Sequence, residues 1–477
     1  MVEITPVEVP APRSARCPRD TVVAAALDAL GGRTVWHVNT TAVGGGVAEL
    51  LRSAIPRHTR AGMRARWLVM NANQEFFGIT KQLHHLFHGS PGDGRRLGER
   101  EFVTYERTTR EAAAKSLAHM TPGDLVLLHD PQTLGMAPLL RQAGMRVAWR
   151  SHIGTSLPGP EVTAAWEFLE PFLQASFRCV FSLPEYVPPG LDTQHVVIIA
   201  PAIDDVSDKC RPMGEAEVRG VLTSIGLVGS PGAACMGEEG EEIVASLAAY
   251  AARRVTVWQD EPLPPGAPTV LQLARWDPLK DMAGTLASFV RHINPATDAH
   301  LVLAGPDPTD VADDPENMAV FDAVLRERAA LPADVRRRVH LVGLGLADDT
   351  AELRANAVVV NALQRHATVI AQKSLEEGFG LAVAEAMWKT RPLVASAVGG
   401  IRAQVTHEVT GLLVDDPTDL AAFGAQVTRL LRDEALRDRL GRAAHDHCAL
   451  RYLAEREFRD HVLLYRDLCG ASLEGGR

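Results

Sequence analysis

Short apolar segments rich in β-branched residues alternate along most of the chain with longer segments of helical periodicity. This alternation indicates parallel sheets that are covered by helices on both faces. A first series of strands is predicted at residues 34–38, 67–70, 125–129, 146–150, 179–181 and 196–199. A second series is predicted at residues 269–273, 300–304, 339–342, 368–371, 392–395 and 411–414. The pattern therefore predicts an α/β fold with two doubly wound units in tandem, which bind ligands at the carboxyl ends of their strands and in a cleft where they face each other.

An irregular segment separates the two series. Residues 205–268 are rich in glycine, proline and acidic residues, and they contain one helical pattern at residues 243–254. We interpret this segment as a linker or insertion with one helix. The predicted domains are accordingly residues 1–204 and residues 269–452.

Composition narrows the class of protein. The 477 residues are 46% hydrophobic and 23% charged, with a net charge of −10, which is ordinary for a globular protein. The negative charge argues against nucleic acid or an anionic membrane as the main partner. The six cysteines show neither Cys-x-x-Cys nor zinc-site spacing, and neither a signal-peptide core nor an apolar run of about 18 residues is present. We therefore expect a reduced, cytoplasmic enzyme.

Residues 377–385 carry the clearest chemical signal, the sequence Glu-Gly-Phe-Gly-Leu-Ala-Val-Ala-Glu. Glu377 precedes a glycine-rich turn, and a helix is predicted from Leu381 to residue 389. Free backbone N–H groups and the positive dipole end of such a helix suit a phosphate or a sugar. Because Glu385 lies two turns further on, we expect both carboxylates on roughly the same face, where they accept hydrogen bonds from sugar hydroxyls. The motif predicts a nucleotide-sugar site.

Two cations follow the first predicted strand of the second series. Arg275 and Lys280 are placed to neutralise a diphosphate and to stabilise the charge that develops on a leaving nucleoside diphosphate. A surface charge pair is the alternative explanation of these two residues. Asp-x-Asp and Gly-x-x-x-x-Gly-Lys-Ser/Thr are both absent from the sequence. Charge neutralisation is therefore expected from side chains and helix ends, without a metal or another cofactor.

Other strand ends carry weaker signals. Glycine turns that let a backbone approach a ligand follow two strands, although a tight strand-to-helix turn explains them equally well. These glycines are Gly44, Gly45, Gly46, Gly399 and Gly400. His152, Asp130 and Gln132 also follow predicted strands, so their polar atoms are expected at the ligand-binding edge. Taken alone, His152 is more simply explained as a core or edge histidine.

Together these motifs resemble the retaining glycosyltransferases of family 4, which have the GT-B fold of two Rossmann-like domains. Residues 377–385 match the Glu-x7-Glu motif of that family. Within it, the chain is similar to the trehalose glycosyltransferring synthases, which in turn resemble trehalose phosphorylases. Segments that carry this similarity include residues 37–39, 44–49, 75–77, 149–152, 183–187, 373–375 and 386–389. The resemblance covers most of the chain.

The resemblance implies roles for the matching positions. It implies catalytic roles for His152, which lies at the donor sugar, for Arg275 and Lys280, which hold the diphosphate, and for Glu377, which binds sugar hydroxyls. Donor binding is implied for Gly44, Gly45, Gly46, Gly378, Phe379, Gly380, Leu381, Glu385, Gly399 and Gly400, with Glu385 at the ribose. The acceptor side is assigned Glu75, Lys81, His84, Asp130 and Gln132. The last helix, about residues 453–477, is expected to return to the first domain, and the family is compatible with a homodimer.

The departures from the family pattern concentrate in the first domain. Gly154 stands where these synthases have an aspartate, and Gly78, His85 and Thr133 also differ. Because a lost carboxylate removes hydrogen-bonding capacity for a polyol, these changes bear on the acceptor. The favoured hypothesis is transfer of glucose from a nucleotide-diphosphate glucose to glucose. The alternatives are the same donor chemistry with another acceptor, such as an aminocyclitol or a thiol, phosphorolysis of trehalose, and a non-catalytic sensor of nucleotide sugars.

Overall fold

A computed structural model describes residues 2–9, 20–42, 46–156, 159–229, 241–308, 315–345, 347 and 349–470. The chain divides into two compact units. The first contains residues 1–203 and 452–477, and the second contains residues 204–451. The last helix therefore belongs to the first unit, although it is separated in sequence by the whole of the second.

The first unit is built on a seven-stranded sheet. Its strands are β1 (Glu3–Val7), β2 (Thr34–Asn39), β3 (Arg64–Asn71), β4 (Leu125–His129), β5 (Arg146–Ser151), β6 (Arg178–Phe181) and β7 (Val196–Ile198). Their order across the sheet is β1-β3-β2-β4-β5-β6-β7. Strand β1 pairs with β3 in antiparallel fashion, and the other pairs are parallel. Chain progression reverses direction between β2 and β4, which creates a crevice at their carboxyl ends.

The helices of the first unit cover this sheet. They are α1 (Thr21–Ala29), α2 (Gly46–Arg60), α3 (Gln74–Phe87), α4 (Glu99–Ser116), α5 (Pro131–Leu134), α6 (Ala137–Gln142) and α7 (Pro160–Leu173). The helix Ala454–Gly470, labelled α18 in chain order, also belongs to this unit.

The second unit contains the other seven-stranded sheet. Its strands are β8 (Val255–Trp258), β9 (Thr269–Leu273), β10 (His300–Pro306), β11 (Val339–Leu344), β12 (Val369–Gln372), β13 (Leu393–Ser396) and β14 (Leu412–Val414). Their order is β14-β13-β12-β9-β10-β11-β8, with β8 antiparallel to β11 and the other pairs parallel. The reversal of chain progression here lies between β9 and β12, which are direct neighbours.

The second unit has its own set of helices. They are α8 (Glu215–Ser224), α9 (Glu241–Arg254), α10 (Met282–Ser288), α11 (Pro315–Ala329), α12 (Ala333–Arg336), α13 (Thr350–His366), α14 (Leu381–Trp388), α15 (Gly399–Gln404), α16 (Leu420–Arg432) and α17 (Glu434–Arg451). Helix α10 continues as one π-helical turn, Phe289–Ile293.

The central strands are largely apolar because helices cover both faces of each sheet. Side chains of β4 alternate between two hydrophobic clusters. Val126 and Leu128 pack into one, and Leu125 and Leu127 pack into the other. The second cluster also contains Tyr465 of α18. The C-terminal helix therefore completes the core of the first unit.

Most predicted strands are present within a few residues of their expected bounds, and the predicted α/β fold is confirmed. The interpretation of residues 205–268 as an insertion with one helix is wrong. Two helices, α8 and α9, lie in this segment, and β8 joins the edge of the second sheet. The apolar alternation of β8 is only four residues long, so it is not distinguishable from loop by pattern alone. The short edge strand β1 was also not predicted from the sequence.

Candidate active site

Three neighbouring parallel strands of the second unit bring the predicted donor residues together. Lys280 follows β9, Glu377 follows β12, and Gly399 and Gly400 follow β13. These strands are adjacent in the order β13-β12-β9, so their carboxyl ends meet at one edge. The edge coincides with the reversal point of the sheet, where ligands of doubly wound folds bind.

Lys280 and Glu377 form an ion pair at this edge. Lys280 Nζ donates to Glu377 Oε2 over 2.7 Å, and both side chains are largely buried, with 15% and 13% exposure. The Ser374 hydroxyl lies 3.4 Å from the same oxygen. Backbone contacts tie the two loops together, since the Leu375 N–H donates to the Leu279 carbonyl over 2.7 Å. Lysine offers three N–H donors, so Lys280 keeps two of them for a ligand.

Glycines shape the loop that carries Glu377. Gly380 has a φ of +85° and caps the N-terminus of α14, a conformation that favours glycine. A Cβ at Gly400 would overlap the backbone of Phe379 and Gly378. The Gly400 N–H also donates to the Glu377 carbonyl over 3.1 Å. Helix α15 thus packs tightly against the loop, and its glycines make that approach sterically permissible.

Arg275 pairs with a different carboxylate from the one that Lys280 contacts. Its guanidinium donates to Asp277 over 2.9 Å, and 48% of the side chain is exposed. Asp277 also caps the short turn that contains Lys280, by accepting from the Leu279 N–H over 2.8 Å. Arg275 is therefore an accessible cation on the same loop as Lys280.

Glu385 is enclosed by polar partners. Its side chain is only 3% exposed, Lys209 Nζ lies 2.7 Å from Oε1, and Gln364 Nε2 donates to Oε2 over 2.8 Å. Lys389 in turn donates to Gln364 Oε1 over 2.5 Å. Burial alone raises the pKa of Glu385, but Lys209 and Lys389 outweigh it and hold the pKa below the usual value. Both oxygens of Glu385 therefore already have side-chain partners.

Helix α14 begins at Leu381, as predicted, so Glu377 lies on the preceding loop and Glu385 lies in the helix. Sequence reasoning missed Lys209, Gln364 and Lys389 as partners of Glu385. Lys389 occurs in a segment that carries the family resemblance but was given no role, Gln364 lies in the last turn of α13, and Lys209 lies in the irregular segment before α8.

In the first unit, His152 and Asp130 are direct partners. The backbone N–H of His152 donates to Asp130 Oδ1 over 2.7 Å, and His152 Nε2 lies 2.9 Å from His129 Nδ1. Asp130 has a φ of +62° between β4 and α5, and its carbonyl accepts from the Trp149 indole over 2.9 Å. Burial raises the pKa of Asp130 to about 7, against the lowering effects of the His152 N–H and of Arg150.

Gln132 follows Asp130 on α5. Its Oε1 is buried and has no hydrogen-bond partner among the described residues. The Tyr105 hydroxyl fixes this short helix, since it donates to the Pro131 carbonyl over 2.5 Å and accepts from the Gly135 N–H over 3.0 Å. A buried amide oxygen without a donor is costly, so Gln132 Oε1 is a candidate acceptor for a ligand hydroxyl.

The other three predicted acceptor residues lie on α3. Glu75 is 45% exposed and pairs loosely with exposed Arg100 at 3.4 Å. Lys81 is exposed, and the His84 ring is tilted against that of His88, with ring centroids 4.5 Å apart. Gly46 begins α2, whereas Gly44 and Gly45 lie outside the described residues.

Gly154 occupies a site with no room for a side chain. A Cβ at this position would lie 2.5 Å from Tyr186 Cγ. The aspartate that the family has here is therefore sterically incompatible with Tyr186 as it is placed. The departure at Gly154 is coupled to the packing of Tyr186 and is not an isolated substitution.

Two other features are absent from the described residues. They contain no cluster of three or more histidine, cysteine, aspartate or glutamate side chains suited to a metal ion. No helix among them is long and apolar enough to cross a membrane.

The chain is similar to known proteins in both of its halves. Residues 37–188 match the family model of the trehalose synthase N-terminal domain, and residues 345–447 match that of glycosyl transferases group 1. A trehalose synthase of Pyrococcus horikoshii is 30% identical over 92% of this chain and 91% of the relative. A trehalose synthase of Rubrobacter xylanophilus is 31% identical over 92% of each chain.

A solved structure shares the fold. The α,α-trehalose-phosphate synthase (UDP-forming) of Burkholderia vietnamiensis superposes with a TM-score of 0.64 at 16% identity, covering 92% of this chain and 99% of that chain. The predicted resemblance and the GT-B fold are therefore confirmed. The chain is a glycosyltransferase, and it belongs to the trehalose synthase family.

Proposed function

We propose that this enzyme transfers a glucosyl group from a nucleotide-diphosphate glucose to free glucose, with retention of configuration, to give trehalose. The observation that carries the proposal is the Lys280–Glu377 ion pair at the reversal point of the second sheet. It joins a cation suited to a diphosphate with a carboxylate suited to sugar hydroxyls. The relatives are trehalose synthases, which supports trehalose as the product, and the family resemblance supports glucose as the acceptor.

The charges at this edge fit departure of a nucleoside diphosphate. Negative charge grows on the leaving phosphate oxygen as the glycosidic bond breaks, and prearranged cations stabilise that charge most where water is excluded. Lys280 is largely buried and already oriented by Glu377, so little reorganisation is needed. Arg275 on the same loop supplies a second cation, and the N-terminus of α14 supplies a positive dipole end.

We assign Glu377 to the donor sugar. Its Oε2 accepts from Lys280, and a carboxylate is suited to accept hydrogen bonds from sugar hydroxyls. Glu385 remains proposed for the nucleotide ribose, but because both its oxygens are engaged, ribose binding has to use its remaining lone pairs or displace a partner. The proposed acceptor ligands are Asp130 and Gln132, which follow β4, and Glu75, Lys81 and His84, which lie on α3.

The test is direct transfer. Purified protein is incubated with glucose and, in turn, with the glucose conjugates of UDP, ADP, GDP and TDP, and products are analysed by chromatography and proton NMR. An α,α-linked non-reducing disaccharide supports the proposal. Release of nucleoside diphosphate only when an aminocyclitol or a thiol replaces glucose would overturn the acceptor assignment. Trehalose breakdown that requires inorganic phosphate and no nucleotide would indicate phosphorolysis instead.

Two further parts of the proposal rest on the sequence. We infer that transfer needs no metal ion or other cofactor, and that the enzyme works in the cytoplasm. Activity that is unchanged after exhaustive treatment with EDTA supports the first inference. Activity that EDTA abolishes and Mg²⁺ or Mn²⁺ restores would contradict it.

A further inference from the structure

Four aromatic side chains of the first unit form one continuous line of polar contacts. His152 Nε2 lies 2.9 Å from His129 Nδ1, and His129 Nε2 lies 3.1 Å from His37 Nδ1. His37 Nε2 lies 3.5 Å from the Tyr465 hydroxyl. We refer to these four residues as the histidine chain. It runs from the predicted sugar-binding His152 through β4 and β2 to the C-terminal helix α18.

The histidine chain is shielded from water for most of its length. His129, His37 and Tyr465 are 3%, 1% and 0% exposed. The imidazole rings are stacked, with centroids 5.2 Å apart for His129 and His152 and 5.4 Å apart for His37 and His129. Such packing leaves each ring little freedom to reorient. The contacts are therefore fixed features of the first unit.

The three imidazoles are neutral. Burial lowers the pKa of His37 and of His129, and burial together with the Arg150 cation lowers the pKa of His152. Arg150 is itself buried and is held by Glu457 at 3.1 Å and by His461 at 2.7 Å. A neutral imidazole carries one N–H donor and one acceptor nitrogen.

Neutrality restricts the histidine chain to two proton arrangements, because each contact between rings needs one proton. In the first, His37 Nδ1–H donates to His129, and His129 Nδ1–H donates to His152 Nε2. The remaining proton of His152 is then on Nδ1. In the second, every bond is reversed, and His152 Nδ1 carries a lone pair. The tautomer of His152 is thus tied to that of His37, two rings away.

Tyr465 decides between the two arrangements. Its hydroxyl contacts His37 Nε2 and makes no other hydrogen bond among the described residues. In the first arrangement the hydroxyl donates to His37, so its proton is satisfied. In the second the hydroxyl accepts, and its own proton is left buried without an acceptor, which is costly. His152 Nδ1 has no hydrogen-bond partner among the described residues, so it leaves an N–H unpaired in the first arrangement and a lone pair unpaired in the second. The first arrangement thus leaves one buried polar group unpaired, and the second leaves two.

We propose that Tyr465, His37 and His129 are positioning residues that hold His152 as the neutral tautomer with its proton on Nδ1. His152 then presents a hydrogen-bond donor to an oxygen of the bound sugar. Because its Nε2 lone pair is already used by His129, His152 has no free nitrogen with which to accept a proton. This proposal rests on the proposed function for the identity of the ligand, but the tautomer itself does not depend on it.

The tautomer is measurable without any assay of activity. Protein labelled with ¹⁵N in the histidine rings is examined by long-range ¹H–¹⁵N correlation NMR, and the His152 signals are assigned by their loss in His152→Asn. We expect a pyrrole-type Nδ1 and a pyridine-type Nε2. In Tyr465→Phe the terminal donor is gone, so we expect the His152 pattern to move toward a protonated Nε2. A protonated Nε2 in the unaltered protein, or an unchanged pattern in Tyr465→Phe, would overturn the proposal.

Tyr250→Phe is the matched control for loss of a buried hydroxyl. The Tyr250 hydroxyl bonds to the Gly345 carbonyl at 3.0 Å in the second unit, outside the histidine chain. We expect Tyr250→Phe to leave the His152 signals unchanged. A shift of equal size in this variant would show that the His152 signals respond to general loosening, and it would count against the proposal.

Kinetics give an independent readout. His129→Gln keeps one donor and one acceptor, whereas His129→Phe keeps only the flat ring. We expect His129→Phe to lower kcat about a hundredfold. We expect kcat of His129→Gln to be at least tenfold higher than kcat of His129→Phe. Equal activity of the two variants would overturn the positioning role. If the protein makes no disaccharide while the expected tautomer is found, the proposed function fails and the assignment of the histidine chain stands.

Discussion

Lys280 Nζ lies 2.7 Å from Glu377 Oε2, at the carboxyl ends of the adjacent parallel strands β9 and β12. The two residues are 97 positions apart in sequence, and the reversal of strand order brings them together. Each orients the other before any donor binds. Loss of either partner therefore removes a charge from the site and also releases the remaining charge from its fixed position.

We predict that Lys280→Met and Glu377→Gln each lower kcat about 10²- to 10³-fold, the range found when one prearranged stabilising group is removed from an active site. The double variant should lose much less than the product of the two single effects, because each single change already disrupts the pair. Initial rates of nucleoside diphosphate release measure both effects. Exposed Glu434→Gln on α17 is the control and should match the unaltered enzyme.

Two outcomes would contradict this assignment. Full activity in either single variant would exclude its role in transfer. Strictly multiplicative losses in the double variant would show that the two residues act separately, in spite of their contact.

Lys209 offers a second test, because it compensates a buried carboxylate. We predict that Lys209→Met costs about 3 kcal/mol of stability at pH 7.5, the scale for breaking a buried ion pair. The lowered pKa of Glu385 contributes stability above its unfolded value near 4.5, and that contribution is lost as pH falls through the folded pKa. Without Lys209, burial favours the protonated form, so the cost should shrink at pH 5.

Thermal unfolding of Lys209→Met at the two pH values measures this difference. Arg442→Met, which removes an exposed cation 3.8 Å from Asp438, is the matched control and should change stability by less than about 1 kcal/mol. A cost in Lys209→Met that is independent of pH would show that lost packing, and not the charge of Glu385, dominates.

Much of this fold follows from local pattern. Strands such as β4 and β9 are mostly apolar segments whose bounds were predicted without error, because burial on both faces of a sheet favours apolar residues at most positions. Strand order was not predictable in the same way. Neighbours such as β12 and β9 pair across about a hundred residues. The spacing of apolar residues along each strand does not specify which strands pair.

In the candidate site, too, some residues were predicted from local sequence and others were missed. Glu377 and Lys280 were found because glycine turns and strand ends mark them in the sequence. The partners of Glu385 were missed because Lys209 lies in an irregular segment and reaches the carboxylate only through tertiary packing. Tyr465 was missed for a related reason, since a tyrosine on an amphipathic helix is usually core, and its contact with His37 spans 428 positions.

Asp130 gives a prediction about pH. Burial raises its pKa to about 7 in the folded protein, from an unfolded value near 3.8. A raised carboxyl pKa means that the folded state binds more protons, so its contribution to stability is complete below about pH 4 and is lost as pH rises toward 7. Each unit of pH inside this window costs about 1.4 kcal/mol. Asp130→Asn does not titrate and should not show this loss.

The measurement is the difference in melting temperature between Asp130→Asn and the unaltered protein at pH 5, 6, 7 and 8. We expect the variant to gain relative stability from pH 5 to pH 7 and then to level off. Asp192→Asn removes an exposed carboxylate from a loop of the same unit, and its difference should not vary with pH in this way. A flat difference for Asp130→Asn would mean that Asp130 is ionised throughout this range.

Gly400 tests whether the close packing of α15 matters for the donor site. A Cβ at this position meets the backbone of Phe379, which is not free to rotate away as a side chain is. We predict that Gly400→Ala displaces the loop that carries Glu377, costs about 1–3 kcal/mol of stability, and weakens binding of nucleoside diphosphate at least tenfold. Isothermal titration with each nucleoside diphosphate measures the binding, and thermal unfolding measures the stability.

Gly214→Ala is the matched control, because a Cβ there meets no atom within 4 Å and its backbone is not left-handed. It should bind nucleoside diphosphate as the unaltered protein does. If Gly400→Ala loses stability but keeps its affinity, the contact of α15 with the Glu377 loop serves folding only. If it loses affinity while its melting temperature is unchanged, the glycine is required for the approach of the ligand to the backbone. Only loss of both stability and affinity supports a mechanism in which the ligand site and the packing of α15 depend on the same backbone position.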